Sequence, residues 1–264
     1  MSKNFLLIVE GNVMEKNIFS KVFERYGFSV NDCGTLNIDD ENCLDLEKFT
    51  GTDSKINIYI VQGPRTRIRD WLKLFNKRES DFDKLFEKID TYFAGVFIIY
   101  DVDHTLKEEL TDMFSKYQDE TTGLLLLSSP CIEVVGDIER TEELKVEHLS
   151  EYKTQQNREH EQKHKKHTRE YIIENFEKLV CFYLDKNVKE SGDKNIMNHP
   201  EFVLKKINEL NERNYISDDD IPVYYRYFTT VVYVCIAYIM GLTKEFENSD
   251  KVKSFFSSKI VKDE

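Results

Sequence analysis

The run Val96-Phe97-Ile98-Ile99-Tyr100 ends abruptly in Asp101-Val102-Asp103. A segment that is apolar at every position is buried on both faces, which is the mark of a strand inside a parallel sheet. The two aspartates then fall at its carboxyl end, where open α/β sheets place their ligands. Positions i and i+2 share one face of a strand, and a turn just beyond its end can direct both carboxylates at a single cation. Hard oxygen donors of this kind suit Mg²⁺ or Mn²⁺. The plainer alternative is a strand followed by a solvated, Asp-rich turn.

Three other segments read as buried strands: the all-apolar Phe5 to Val9 and Leu124 to Leu127, and Ile56 to Val61, apolar but for Asn57. Between them, apolar residues recur at helical spacing. Ile18, Phe19, Val22, Phe23 and Tyr26 predict a helix from Met14 to Tyr26, with Gly27 as its C-terminal cap. Helices are also expected over Arg65–Phe75, Phe82–Phe93 and Leu106–Tyr117. Residues 31–54 are polar and acidic and read as loop, with at most a short strand. Strands alternating with helices imply βαβ units and a mostly parallel sheet flanked by helices.

The character changes after about residue 138. Lys153 to Glu170 holds no apolar residue and reads as a solvated helix or a loop. Helical periodicity returns over 171–188 and is expected again over 199–214, 222–240 and 249–261. The expected division is an α/β domain over 1–138 and an all-helical part over 139–264. Val223 to Met240 is the most lipid-like stretch, but it contains Arg226, five tyrosines and two threonines, so a buried helix is expected and no membrane association. The five cysteines are odd in number, form no Cys-x-x-Cys and suggest reduced thiols in the cytoplasm. No secretory signal is evident at the start of the chain. The formal charge of −12 disfavours broad, nonspecific adhesion to nucleic acid and leaves room for a local basic patch.

Two more carboxylates occupy telling positions. Glu10, in Val9-Glu10-Gly11, ends the first strand as Asp101 ends its own. Glu133 follows the late strand in Ser128-Ser129-Pro130-Cys131-Ile132-Glu133. Carboxylates gathered at strand ends of one sheet repel one another unless a cation joins them. Each also has an ordinary reading: Glu10 as a polar strand end, Glu133 as a helix-start glutamate favoured by the helix dipole.

In order, Ile8-Val9-Glu10-Gly11, Glu15-Lys16 with Phe19 on a helix, Asp101-Val102-Asp103, and Ser128 through Glu133 resemble the Toprim domain. That domain occurs in topoisomerases, bacterial primases, a ribosomal-RNA maturase and phage-defence nucleases. The pattern is most similar to the RloB and abortive-infection branch, and it covers roughly residues 5–138. His104 stands where that branch more often has an acidic or polar residue, and Ile132 where an aromatic often precedes the glutamate. The resemblance implies a Toprim-like fold and a metal-dependent nuclease acting on RNA such as tRNA, or on DNA. It implies that Asp101 and Asp103 hold Mg²⁺ or Mn²⁺ with Glu133 in support. Glu10 would be the general acid/base or a ligand to a second metal. It also implies a regulated anti-phage role, with a partner ATPase or sensor, and is compatible with a homo-oligomer.

Two alternatives stay open. Asp101-Val102-Asp103-His104-Thr105 also resembles the first motif of haloacid-dehalogenase phosphatases, with Asp101 as nucleophile. That reading lacks a convincing lysine between Ser129 and Asp137 and needs further parallel strands beyond residue 128. The other alternative is a catalytically degenerate Toprim scaffold serving as an interaction subunit.

Arg65, Arg67, Arg69 and Lys73, with Lys77 and Arg78, form the densest basic cluster of the α/β part and are candidate nucleic-acid contacts. Trp71 among them is expected in the core rather than stacked on a base. His160, His164 and His167 recur at helical spacing. A solvated face is expected there in preference to a transition-metal site.

Overall fold

A computed structural model describes residues 2–10, 14–37, 43–62, 92–102, 107–121, 123–129, 131–132, 149–191, 200–216 and 229–242. The chain forms two compact units. The first comprises Met1–Asp101 and Thr105–Leu126, the second Val102–His104 and Leu127–Glu264. The change therefore falls within a strand, ahead of the position near 138 read from the sequence.

The first unit is α/β. Its strands are β1 (Lys3–Val9), β2 (Ser29–Asn37), β3 (Cys43–Thr50), β4 (Ile56–Gln62), β5 (Gly95–Asp101), β6 (Gln118–Asp119) and the greater part of β7 (Gly123–Ser129). They lie in the order β2-β3-β4-β1-β5-β7-β6. The centre is parallel: β1 pairs with β4 through Leu6↔Tyr59 and Val9↔Gln62, and with β5 through Phe5↔Gly95 and Val9↔Ile99. The sheet is mixed because β2, β3 and β4 pair antiparallel, as do β6 and β7. Leu6 to Val9, Ile58 to Val61 and Val96 to Tyr100 are all buried, as their unbroken apolar runs require.

Helix α1 (Met14–Arg25) buries Ile18, Phe19, Val22 and Phe23 completely. Its end is closed by two backbone bonds, Gly27 N–H to Glu24 C=O and Phe28 N–H to Phe23 C=O, with Gly27 at φ +83°. This is a Schellman arrangement, and the left-handed residue it needs is the glycine. The Phe23 ring meets Phe28 at 5.8 Å and Phe49 of β3 at 5.2 Å, so the cap is joined to the core. Helix α2 (Lys107–Lys116) buries Leu110, Met113 and Phe114.

The expectation of a loop over 31–54 is corrected: β2 and β3 form a long antiparallel pair there. Among the described side chains of the pair, Val30 is 43% exposed and Phe49 is fully buried, so the apolar signal is weak. A register irregularity between Val30 and Asp32 also breaks the alternation that marks a strand. The helix expected over 65–75 lies outside the described residues, as does that over 82–93 up to residue 91. Tyr92 and Phe93 are not helical, and Phe93 packs edge-on against Tyr59.

The second unit contains α3 (Leu149–His164), α4 (Thr168–Glu174), α5 (Phe176–Ser191), α6 (Pro200–Ile216), the short strand β8 (Thr229–Thr230) and α7 (Val232–Ile239). Helices α5, α6 and α7 pack on one another. Val232 to Ala237 are wholly buried, which explains why α7 is apolar on every side. The expectation of an all-helical part is corrected by β8, which pairs antiparallel with the end of β7 through Ser128↔Thr230 and Ser129↔Thr229. Of the range 222–240 expected to be helical, residues 222–228 lie outside the described residues, 229–230 are strand and helix runs from Val232. β-branched residues at 229–232 favour the extended entry. The polar stretch 153–170 is helical as far as His164, and Lys165 at φ +56° ends it. The segment 249–261 lies outside the described residues. Among the described residues no helix is long and apolar enough to cross a membrane.

Candidate active site at the strand ends

Because β4, β1 and β5 are parallel neighbours, their carboxyl ends lie together. Each carries a buried polar residue: Gln62, Glu10 and Asp101. Glu10 is 4% exposed and Asp101 6%. The Asp101 N–H donates to Glu10 Oε2 at 3.3 Å, which turns the Glu10 carboxylate toward β5. Two carboxylates ninety-one residues apart in sequence are thus brought to one place by strand register alone.

The remaining residues singled out in the sequence, Asp103, Glu133, Arg65, Arg67, Arg69 and Lys73, lie outside the described residues, as does Trp71. Among the described residues no group of three or more His, Cys, Asp or Glu side chains is arranged to hold a metal ion. Mg²⁺ does not require one. It commonly takes one or two carboxylates and completes its shell with water and substrate phosphate. The Glu10 and Asp101 oxygens are hard donors of the right class, so this pair fits such an ion.

The structure adds Gln62 to the strand ends and shows how Glu15 and Lys16 of the sequence pattern are held. Gln62 occupies the same topological position on β4 as Glu10 and Asp101 on their strands, and its place before Gly63-Pro64 was the available signal. Glu15, in the first turn of α1, is buried. Lys16 forms an ion pair with Glu47 at 3.1 Å and reaches Asp45 at 4.0 Å, and Ser20 donates to Glu47 at 3.0 Å. These contacts tie the helix that follows Glu10 to β3.

The histidines do not form one solvated face. His160 is 5% exposed, with its ring edge-on to Tyr171 at 4.4 Å. The chain turns at Lys165, so His167 leaves the α3 helix and accepts or donates a 2.7 Å bond with Glu161. That bond, aided by the Glu161 charge, raises the His167 pKa. Cys131, Cys181 and Cys235 are buried free thiols. Burial pushes the Cys181 thiol up to about 11 and raises that of Cys235. Compared with models of known protein families, with curated proteins and with solved structures, the chain matches none.

Proposed function

We propose that this protein is a metal-dependent nuclease of Toprim type, acting on RNA or DNA phosphodiesters under Mg²⁺ or Mn²⁺. The observation that carries the reading is the meeting of buried Glu10 and Asp101 at the ends of adjacent parallel strands. Asp103 and Glu133 join them by their places in the sequence. When bound, the ion polarises the phosphodiester and offsets charge developing on the leaving oxygen. Asp101, at the end of a fully buried strand, supplies a ligand that has little freedom to move. Glu10, oriented by the Asp101 amide, is placed to accept and return a proton. Arg65, Arg67, Arg69 and Lys73 are proposed to engage substrate phosphates. Regulation by a partner ATPase or sensor in phage defence, and assembly with further copies, belong to the same proposal. The phosphatase alternative needs further parallel strands after residue 140. Among the described residues the strand found there is the two-residue, antiparallel β8.

The test pairs Glu10→Gln with Asp101→Asn on tRNA, single-stranded RNA, duplex DNA and a phosphomonoester. Wild type should cleave a nucleic acid with Mg²⁺ or Mn²⁺, alone or with host lysate, and Glu10→Gln should lose ~10²–10⁴ in rate. Phosphomonoester turnover that ignores Glu10→Gln but dies with Asp101→Asn would sink the nuclease in favour of the phosphatase. Titration with Mn²⁺ should lose most binding in Asp101→Asn and in Asp103→Asn.

A further inference from the structure

The last residues of β7 are held from both sides. On one side the Ser128 carbonyl accepts the Val102 N–H at 3.0 Å. Val102 follows Asp101 directly, so this bond fixes the peptide by which the chain leaves that aspartate. On the other side Ser128 faces Thr230 of β8. A strand residue directs its N–H and C=O to the same side, so with its carbonyl committed to Val102, Ser128 meets Thr230 at a position without ladder bonds. Facing side chains come closest there. Their hydroxyls accordingly lie 2.8 Å apart. The Thr230 hydroxyl also accepts the Val232 N–H at 3.2 Å, at the start of α7. Ser128, Thr230 and Val232 are fully buried and Val102 almost so.

A second tie runs parallel to the first. The Tyr233 hydroxyl donates to the Ile132 carbonyl at 2.7 Å, immediately before Glu133 in the chain. The Tyr233 ring is itself stacked on Tyr183 of α5 at 5.8 Å and meets Phe176 edge-on at 6.3 Å. Segment 229–239 therefore contacts the Ile132 carbonyl directly and reaches the Val102 peptide only through Ser128, from about a hundred residues downstream.

We infer that Thr230 is a positioning residue for the metal-binding carboxylates, acting through Ser128 on the Val102 peptide, with Tyr233 as its companion on the Ile132 peptide. The inference rests on the assignment of Asp101 as a metal ligand. Buried hydroxyls that orient ligand-bearing groups act on metal affinity as well as on stability.

The experiment measures Mn²⁺ affinity by calorimetry and Val102 amide exchange by NMR on the full chain. Thr230→Val keeps the shape and removes the hydroxyl. It should weaken Mn²⁺ binding roughly tenfold and speed exchange at Val102, while Thr230→Ser restores both. Val203→Ala, in the buried face of α6, lowers the melting temperature and should leave Mn²⁺ affinity alone, which separates positioning from general weakening. Wild-type affinity in Thr230→Val would overturn the inference. If that variant does not fold, Ser128→Ala carries the same expectation and the same refutation. Asp101→Asn is the control on the underlying assignment. If it binds Mn²⁺ as wild type does, the metal reading itself fails and this inference with it. If it loses Mn²⁺ while Thr230→Val does not, only the inference fails.

Discussion

Glu10→Gln should stabilise the metal-free protein while destroying its response to metal. The Asp101 amide nitrogen lies 3.3 Å from Glu10 Oε2, and the Asp101 carboxylate branches from the same residue. Two like charges roughly 5 Å apart at an effective dielectric near 20 repel by about 3 kcal/mol, which sets the scale for this pair. Glutamine removes one charge and keeps an oxygen that can still accept the Asp101 N–H. The hydrogen bond, with a net value of about 1 kcal/mol, is retained. For a chain of this size each kcal/mol moves the melting temperature by roughly 2–4 °C, so the variant should melt roughly 6–12 °C higher in chelator. Added Mn²⁺ should then raise the wild-type melting temperature, because a ligand that binds only the folded state stabilises it by mass action. It should do so far less in the variant. Calorimetric or fluorimetric melts with and without Mn²⁺ at pH 7.5 test both halves. A variant that melts below wild type in chelator, or gains as much from Mn²⁺, would refute the picture of two neighbouring carboxylates that repel each other and share a cation.

Tyr233→Phe should cost ~1–3 kcal/mol, because the buried Ile132 carbonyl loses its donor while the ring contacts persist; chemical denaturation checks this. The His167–Glu161 bond raises the imidazole pKa, so the stability it adds to the α3–α4 turn is fully present below the ordinary value of 6.5 and is lost as the pH rises through the raised one. An NMR titration should show the raised midpoint in wild type and its return toward the ordinary value in Glu161→Gln. Cys131, Cys181 and Cys235 should resist a thiol reagent at pH 8 in the native protein and react on unfolding, since all three are buried and the thiolates of Cys181 and Cys235 are disfavoured.

The strands that could be read from the sequence are those buried on both faces. Leu6-Leu7-Ile8-Val9 and Val96 through Tyr100 advertise themselves because no position along them faces water. β2 and β3 escaped notice because a pair at the sheet margin can be polar on its outer side, and because the irregularity at Val30/Asp32 shifts its alternation. β8 could not be read at all. Two threonines become a strand only because Ser128 is there to pair with, and nothing near residue 229 announces a partner a hundred positions earlier. The meeting of Glu10 and Asp101 was legible from topology, since parallel strands align their carboxyl ends. Gln62 was not noticed beside them because an amide carries no charge to attract attention. His160 was misread for the opposite reason: its neighbours in sequence are all polar, and what buries it is Tyr171, beyond the turn at Lys165.

The position of β1 at the heart of the sheet has a consequence for how the chain is made. Phe5 to Val9 leave the ribosome well before either neighbour, since β4 begins at Ile56 and β5 at Gly95. At roughly 5–20 residues per second, this central strand waits about 5–20 s for its second partner. During that interval Phe5-Leu6-Leu7-Ile8-Val9 is an apolar, β-prone segment with both edges unmet, open to pairing with the same segment of another nascent chain. Lys3 and Asn4 before it and Glu10 after it are the polar flanks that oppose such pairing. Glu10 is therefore set to guard the newborn strand on the ribosome before it has any Asp101 to face.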